Sequence, residues 1–339
     1  MGSSSHFPDF APSAEFLAVF QAQADEHGFL SFAQFMELAL YHPQLGYYRK
    51  NRSRVGYGAG TDFYTASTTG PVFGELISAA CIKLLGPCDP GAFSFVELGA
   101  ESEGGVLTGV EHPFASAHTV RIGETAQLTG RCIVFSNELF DAQPFHRFVF
   151  RAGLWKELGV GWRGGRFVEV ERPTAPPFAF PAKAPEGYIV DAPMAASALA
   201  DQLLGQPWTG LFVAFDYGKS WAELRDFTPA GTARAYFQHT QSNDLLARPG
   251  QQDLTCHICW DWLAERLTAH DFSAPGLESQ EAFLVNHAGA YLAAAIASEA
   301  AGFSRKKSAL LQLLHPANMG QKFQVLHATR GLHSFAVKT

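Results

Sequence analysis

The 339-residue sequence lacks the patterns that mark several large classes of protein. No window holds 18 consecutive apolar residues, which argues against a membrane-spanning helix. The first residues, MGSSSHFPDF, have neither the basic nor the apolar part of a secretory signal. The net charge is −7 and the longest basic patch is the short RKNRSR at 49–54. Because nucleic-acid-binding proteins usually carry a basic footprint, neither a membrane nor a nucleic acid is an expected partner.

Cysteine is also scarce, with five residues in no regular spacing. A chain of this length needs no disulfide framework, so we expect a reducing cytoplasm. Cys256 and Cys259 form a C-x-x-C pair, but no second pair of ligands stands at a suitable spacing, and we expect no metal. The hydrophobic fraction of 47% and the charged fraction of 17% are typical of a globular protein, and the length suggests about two domains.

Apolar periodicity predicts helices first and an α/β region afterwards. Helical spacing and end signals predict helices over 13–27, 31–41 and 71–85. From residue 92 helices near 194–205 and 259–269 alternate with short apolar strands, predicted over 93–98, 132–135, 145–150 and 211–215. This texture indicates an α/β fold with a mostly parallel sheet.

The same pattern predicts three consecutive regions. We expect a helical N-terminal region over 1–90, a core over 91–255 and a helical insertion and C-terminal region over 256–339. The core holds a proline-rich loop insertion at 171–186, and the last region ends in a strand near 323–327. Ligands of an open parallel sheet bind at the carboxyl ends of its strands, so the residues just after each strand are the candidates for a site.

The strand predicted over 93–98 runs into a glycine turn, VELGAESEGGVL. Glu97 is followed by Gly99 and, later, by Gly104, and glycines let the backbone turn sharply beneath a ligand. The acid at Glu101 would repel a phosphate, whereas a cationic cofactor such as S-adenosylmethionine tolerates it. By itself the motif is weak evidence for a ligand, and a plain turn is the simpler interpretation.

A second motif, SNELFDAQP at 136–144, leaves the strand predicted over 132–135. Two carboxylates, Glu138 and Asp141, can hold a guanidinium or ammonium group in a fork and localise its lone pair for attack. The alternative is that Ser136 or Asn137 caps a helix whose dipole favours the acids. The residues alone leave both interpretations open.

Asp216 follows the apolar strand predicted over 211–215 and begins a third motif. It either orients a ligand or caps a turn, and the cap is the simpler interpretation.

Taken together, these strings resemble one family, the MidA-like S-adenosylmethionine-dependent methyltransferases, relatives of the mitochondrial complex I assembly arginine methyltransferase. The resemblance runs from about residue 30 to 285. The strings that carry it are FMELALYHPQLGYY (35–48), TDFYTA (61–66), ELG (97–99), NELFDAQP (137–144), DYG (216–218) and PGQQDLT (249–255).

The resemblance implies an α/β fold with a class I (Rossmann-like) methyltransferase sheet of seven strands and added helical N-terminal and insertion regions. It implies methyl transfer from S-adenosylmethionine to a protein side chain, arginine in the mitochondrial relative. The catalytic residues it implies are Asn137, Glu138 and Asp141. The cofactor-binding residues are Tyr64, Thr65, Glu97, Gly99, Ala100, Glu101, Gly104, Glu124 and Asn137. The substrate-contacting residues are Asp62, Asp216 and Tyr217.

The sequence departs from the family pattern in the cofactor half. The family loop resembles E-L-G-P-G-x-G, whereas Ala100 replaces the proline here and Glu101 stands near the second glycine. Only 40 positions separate Glu97 from Asn137, which leaves room for about one short strand near 119–122. We therefore predict a sheet that is shortened in its cofactor half. The acid that holds the ribose has no clear counterpart, and Glu111 and Glu124 are its candidates.

The leading hypothesis is thus a methyltransferase that uses S-adenosylmethionine and acts on a protein side chain. One alternative is a catalytically inactive relative that serves as an assembly factor or scaffold. Another is a protein that binds a different small cationic or nucleoside ligand. The expected partner is a protein substrate or an assembly partner, and a homodimer stays open.

Overall fold

The computed structural model describes residues 11–50, 54, 56, 61–62, 66–100, 104–174, 176, 180–298 and 304–332 of the chain. The α-helices of this part are α1 (Ala14–Gln23), α2 (Phe32–Tyr41), α3 (Pro71–Leu85), α4 (Met194–Leu204), α5 (Trp221–Asp226), α6 (Trp260–Ala269), α7 (Gln280–Ser298) and α8 (Arg305–Leu314). Its strands are β1 (Phe29–Ser31), β2 (Ser94–Leu98), β3 (Ser116–Val120), β4 (Gly130–Asn137), β5 (His146–Arg151), β6 (Leu154–Arg163), β7 (Arg166–Arg172), β8 (Ile189–Ala192), β9 (Trp208–Asp216), β10 (Gly218–Lys219), β11 (Arg234–Phe237), β12 (Thr240–Ser242), β13 (Asp253–Thr255), β14 (Ile258–Cys259), β15 (Gly276–Ser279) and β16 (Gln324–Arg330).

The predicted helices are confirmed, and their ends follow from local chemistry. Ser31 begins α2 with a reciprocal capping box, in which its hydroxyl accepts from the backbone of Gln34 and the Gln34 side chain accepts in return. Pro71 at the first turn and Gly86 after the last residue bound α3. The first helix ends at Gln23 rather than near 27, because the Asp25 carboxylate accepts from two backbone N–H groups beyond it and forms a turn instead.

The chain folds into two compact units, each drawn from three separate segments. The first unit comprises Met1–Ser53, Pro144–Met194 and Ala222–His257. The second comprises Arg54–Gln143, Ala195–Trp221 and Ile258–Thr339. These units cut across the three consecutive regions predicted from the sequence, because the chain leaves the second unit after β4 and again after β10 and returns each time.

The second unit is built on a six-stranded sheet in the order β15-β16-β9-β4-β2-β3. Strands β3, β2, β4 and β9 are parallel neighbours, and β16 runs antiparallel to both β9 and β15. The predicted, mostly parallel sheet is therefore confirmed. The described residues supply six strands to it, one fewer than the resemblance implied, because the stretch between β2 and β4 contributes β3 alone.

Helices cover both faces of this sheet. Residues of α3, α7 and α8 pack with Phe95, Phe135 and Phe215 on one face. Residues of α4 and α6 pack with Val134 and Phe212 on the other. Because both faces are buried, the central strands are apolar throughout rather than alternating, as the run at 211–215 predicted. The result is an α/β fold.

The first unit is built on an antiparallel sheet, which the sequence did not predict. Strand β5 was expected in the parallel sheet, but it lies between β6 and β8 in the order β1-β6-β5-β8, with β7 beside β6. Ala152 and Gly153 both have positive φ, 52° and 78°, which closes β5 and β6 into a tight hairpin. That hairpin is the physical reason why β5 cannot have a parallel neighbour next in the chain.

Other parts of the chain form smaller elements. A three-stranded antiparallel sheet, β12-β11-β13, belongs to the first unit. The predicted loop insertion at 171–186 begins within β7, whose last residues are Glu171 and Arg172. Among the described residues, no helix has both the length and the apolar character needed to cross a membrane.

Candidate active site

Four parallel strands of the second unit end side by side. In the register of the sheet, Leu98 at the end of β2 pairs with Ser136 of β4, and Asn137 pairs with Phe215 of β9. The Gly99 N–H donates to the carbonyl of Val120, the last residue of β3, at 2.9 Å. Neighbouring strands lie about 4.8 Å apart, so the three motifs found in the sequence meet at one edge of the sheet.

Gly99 connects the first motif to the second. Its φ of +74° is in the left-handed region, and a β-carbon there would lie 2.9 Å from Cδ1 of Leu139. Leu139 belongs to the segment that follows β4, so the two turns pack directly against each other. The next residue, Ala100, is 7% exposed, and Glu101 lies outside the described residues.

Glu97 is a buried acid at this edge. Its side chain is 8% exposed and Oε2 accepts a hydrogen bond from the Val106 N–H at 2.5 Å. Burial raises the pKa of Glu97 from its ordinary value of 4.5 to about 7, although the Val106 N–H acts in the opposite direction. The carboxyl group thus ties the start of the glycine turn to its end.

The glycine that touches this carboxylate is Gly105. Its φ is +67°, and a β-carbon would lie 2.3 Å from Glu97 Oε2 and 2.5 Å from the Thr119 methyl group. The sequence had assigned the last glycine of the loop to Gly104, which is exposed and faces the Thr108 side chain. The two consecutive glycines at 104–105 were the sequence signal for the end of the turn, but only the fold shows which of them contacts Glu97.

The last two residues of β4 carry buried polar atoms that have no hydrogen-bond partner among the described residues. The Asn137 amide donates through Nδ2 to Glu138 Oε1 at 3.1 Å. Its Oδ1 is buried and has no hydrogen-bond partner among the described residues, and the same is true of the Ser136 hydroxyl. Buried polar atoms are nearly always satisfied in native proteins, so these two atoms make this strand end a candidate position for a ligand.

Glu138 has a strained backbone. Its φ is +53°, a left-handed conformation that residues with a side chain rarely adopt, while its N–H donates to the Phe215 carbonyl at 3.0 Å. Residues 138–145, all of which the structure describes, form no α-helix, so the helix-capping interpretation of this segment is wrong. Non-glycine residues in the left-handed region concentrate at functional sites, where the surroundings hold them in place.

Asp216, at the end of β9, holds the same segment from the neighbouring strand. It is fully buried, and its Oδ2 accepts from the N–H groups of Phe140 at 2.9 Å and Asp141 at 3.3 Å. Oδ1 accepts from the Tyr217 N–H at 2.8 Å. Burial raises the pKa of Asp216 to about 7 against these hydrogen bonds. The turn-capping interpretation of Asp216 is confirmed, and the turn that it caps is the one that follows β4.

The remaining predicted residues take separate places. Tyr217 packs its ring on Phe323, with centroids 4.0 Å apart. Asp62 is fully buried and its N–H donates to the Arg54 carbonyl at 2.7 Å. Glu124 lies in the exposed turn after β3, where Oε2 accepts from the Arg121 N–H at 2.8 Å. The predicted site residues Tyr64 and Thr65 lie outside the described residues.

Among the described residues, neither Cys256 nor Cys259 belongs to a group of three or more His, Cys, Asp or Glu side chains close enough to share a metal ion. Cys256 and Cys259 are both buried, and burial raises the pKa of the Cys259 thiol to about 12.

Comparison with known proteins gives consistent results. A family model described as "Putative S-adenosyl-L-methionine-dependent methyltransferase" matches residues 114–277. The mitochondrial protein arginine methyltransferase NDUFAF7 of Danio rerio is 25% identical over 365 residues, which cover 88% of this chain and 82% of that protein.

Two solved structures from Burkholderia thailandensis share the fold. One, bound to S-adenosyl-homocysteine, is 26% identical with a TM-score of 0.79, and the match covers 95% of both chains. The other, a native structure, is 24% identical with a TM-score of 0.76 over 95% of both chains. The resemblance predicted from the motifs is therefore confirmed.

Proposed function

We propose that this chain, which by sequence and fold is an S-adenosylmethionine-dependent methyltransferase of the MidA-like type, methylates a protein side chain, and that arginine is its acceptor. The acceptor is inferred from the name of the relative in Danio rerio and from the paired carboxylates after β4. The observation that carries the proposal is the meeting of Glu97, Gly99 and the Asn137–Asp141 segment at adjacent strand ends.

The residues present fit the cofactor. The buried, partnerless Oδ1 of Asn137 offers an acceptor for its ammonium or hydroxyl groups. The turn at Gly99 lacks a side chain where a ligand would approach the backbone. Carboxylates such as Glu97 suit a ligand that carries a sulfonium and an ammonium but no phosphate. We assign Ala100, Glu101 and Gly104 to the same loop.

Bound S-adenosylmethionine would supply an electrophilic methyl group: the acceptor nitrogen would bond to its carbon in line as the carbon–sulfur bond breaks, releasing S-adenosylhomocysteine and one proton from that nitrogen. The protein's task is to position the acceptor and localise its lone pair. In our proposal Glu138 and Asp141 hold the acceptor guanidinium, and Asn137 fixes the cofactor or the acceptor. Asp216 is a positioning residue, since its carboxylate holds the backbone of the turn that carries these acids.

We assign roles to the other predicted residues from their positions in the sequence motifs. Tyr64, Thr65 and Asp62 wall the site, and Tyr217 contacts the substrate. Glu124 follows the strand next to β2 and is the candidate for the adenosine end. We also propose that the six-stranded sheet is a class I, Rossmann-like sheet that lacks one strand in the cofactor half. The cytoplasmic location and a homodimer remain predictions.

Calorimetric titration with S-adenosylmethionine and S-adenosylhomocysteine tests the cofactor. We expect saturable binding of one ligand per chain, and no binding even at millimolar ligand would overturn the proposal. The acceptor is then identified by incubating the protein with methyl-labelled cofactor and candidate proteins, followed by hydrolysis. Label in methylarginine supports the acceptor, whereas label in another residue replaces arginine but keeps the enzyme class.

A second candidate function is an inactive assembly factor or scaffold. The observation in its favour is that the described residues between β2 and β4 contribute β3 as their one strand. The Glu138→Ala/Asp141→Ala double variant distinguishes the two functions in cells that depend on the protein. Loss of rescue with retained expression supports the enzyme, and full rescue supports the scaffold. Glu138→Gln, which preserves the shape of the site, controls for misfolding.

A further inference from the structure

Three side chains that could bind a metal ion lie together on one face of the six-stranded sheet. They are found beside the edge strand β15, at the opposite side of the sheet from β3. They are Glu278 on β15, His287 on α7 and His327 on β16, whose ligand atoms all lie within 4.8 Å of one another. Glu278 Oε1 lies 2.7 Å from His287 Nε2 and 3.1 Å from His327 Nε2. Three elements of the second unit thus converge on a single carboxylate oxygen. We call this group the edge triad.

The pairing of β15 with β16 creates half of the edge triad. Gly276 pairs with His327 and Glu278 pairs with Val325, so Glu278 and His327 are diagonal neighbours on one face of the sheet. Gly276 makes room for the imidazole, because a β-carbon there would lie 2.5 Å from His327 Nε2. A glycine opposite the histidine is therefore a requirement of this geometry.

Helix α7 brings the third ligand. Phe283 and His287 are four residues apart and lie on one face of the helix. Phe283 is fully buried, and its ring centroid is 4.9 Å from that of His287 and 5.5 Å from that of His327. Both imidazoles therefore rest on one aromatic ring, which limits their rotation and directs both Nε2 atoms toward Glu278.

The surroundings suit a metal ion. The side chains of Glu278, His287 and His327 are 21%, 19% and 15% exposed, enough for an ion to enter and too little for the side chains to move freely. Asn286 Nδ2 donates to Glu278 Oε2 at 2.6 Å and orients the carboxylate, as outer partners of metal ligands do.

We propose that the edge triad is a binding site for a divalent transition-metal ion, with Zn²⁺ as the ion it prefers. Two imidazole nitrogens and one carboxylate oxygen are a ligand set that zinc takes, with water at the fourth position. Tetrahedral zinc places its ligands roughly 3.3 Å apart. The present oxygen–nitrogen distances of 2.7 and 3.1 Å thus need only small side-chain rotations. The ion would join β15, β16 and α7.

Titration of the metal-free full-length protein with Zn²⁺ tests the site. We expect one equivalent to bind, and the unfolding temperature to rise with zinc concentration. His287→Gln and His327→Gln should each lower the affinity by more than tenfold and remove the thermal shift. With Co²⁺ as a spectroscopic probe, the absorption should indicate nitrogen and oxygen ligands without thiolate.

Two further variants keep the test decisive. His270 also meets a carboxylate, since its Nε2 lies 3.1 Å from Asp201 Oδ1, so His270→Gln is the matched control and should bind zinc normally. Asn286→Ala keeps all three ligands and should weaken binding by about tenfold. Absence of zinc binding by the wild type, or equal binding by every variant, would overturn the proposal.

Discussion

At the scale of single residues, the turn after β2 depends on one close approach. A methyl group at Gly105 would meet the Glu97 carboxylate at 2.3 Å and would force a side chain into a positive φ. We expect Gly105→Ala to lower the free energy of unfolding by about 2–4 kcal/mol and to abolish measurable cofactor binding. Chemical denaturation and calorimetric titration measure the two effects.

Gly109 provides the matched control for this substitution. It has a similar φ of +71°, but no atom lies within 4 Å of the position that a β-carbon would take. Gly109→Ala should therefore cost only about 1 kcal/mol and leave cofactor binding intact. Equal effects of the two substitutions would mean that backbone strain, rather than the contact with Glu97, governs the turn.

The raised pKa of Glu97 makes its contribution to stability depend on pH. The folded state holds the proton up to about pH 7 and the unfolded state only up to about 4.5, so burial of the carboxylate lowers stability increasingly from pH 4.5 to 7. Gln is neutral throughout. Glu97→Gln should therefore gain stability relative to the wild type over that range, by about 1–3 kcal/mol in total.

Urea denaturation of both proteins at several pH values measures this difference. Asp216 titrates in a similar range but is present in both proteins, so its contribution cancels. A stability difference that does not change between pH 4.5 and 7 would contradict the buried, protonated state of Glu97.

The left-handed backbone of Glu138 lowers the stability of the fold but fixes the position of its side chain, as strained residues at functional sites do. Glu138→Gly relieves its left-handed φ of +53° and should raise the free energy of unfolding by up to about 1 kcal/mol, while methyl transfer is lost with the carboxylate. Ala152 has a φ of +52° in the β5–β6 hairpin, and Ala152→Gly should give a similar gain with unchanged transfer. Full activity of Glu138→Gly would remove Glu138 from the catalytic group.

The sequence predicted the residues of the candidate site but not their contacts. Glu97, Gly99 and Asn137 were predictable because strand ends followed by glycine or acids are visible in the chain itself. The packing of Gly99 on Leu139 and the partnerless hydroxyl of Ser136 were not, because they depend on the register between β2 and β4. Register is a property of paired strands and has no local signal in one of them.

At the scale of elements, one carboxylate links the ends of β4 and β9. Asp216→Asn retains a single acceptor oxygen, and its amide then faces backbone N–H groups of Phe140 and Asp141 or of Tyr217. We expect a loss of about 1–3 kcal/mol in stability. Because the turn carries the two acids that we propose as catalytic, kcat should fall at least tenfold, whereas the dissociation constant of S-adenosylhomocysteine should change less.

Asp89→Asn is the control for Asp216→Asn, because it also changes a carboxylate that accepts a hydrogen bond from a backbone N–H group. Asp89 also accepts a backbone N–H, that of Gly91 at 2.9 Å, but it lies in an exposed turn. Its substitution should alter stability by less than about 1 kcal/mol and leave kcat unchanged. If Asp216→Asn weakened cofactor binding and kcat equally, Asp216 would act on the cofactor rather than on the turn.

Most helices and strands were predictable from the sequence, but the partners of strand β5 were not. Helices α2 and α3 carry their own caps, and β2, β4 and β9 are apolar runs bounded by polar residues. Strand β5 is just as apolar, and four of its six residues are buried, so its composition indicates burial but not its partner. The two-residue turn at Ala152 and Gly153 was the available signal for an antiparallel hairpin.

At the scale of the whole molecule, the two compact units interleave along the chain. A pattern that is read from one end to the other predicts neighbours in sequence, so it could not predict units whose segments lie far apart. The site residues that the structure describes nevertheless all fall in the second unit, from Asp62 to Tyr217. A ligand of the proposed site should therefore stabilise the fold through that unit.

S-adenosylhomocysteine measures this coupling, since a ligand that binds only the folded state raises its stability. At about one hundred times its dissociation constant it should contribute about 2.7 kcal/mol and raise the unfolding temperature by roughly 4 °C in scanning calorimetry. Asp89→Asn should show the same shift, because it leaves the strand ends intact. Gly105→Ala should show none, because its added methyl group displaces the Glu97 carboxylate. A wild-type protein without any shift would favour the scaffold over the enzyme.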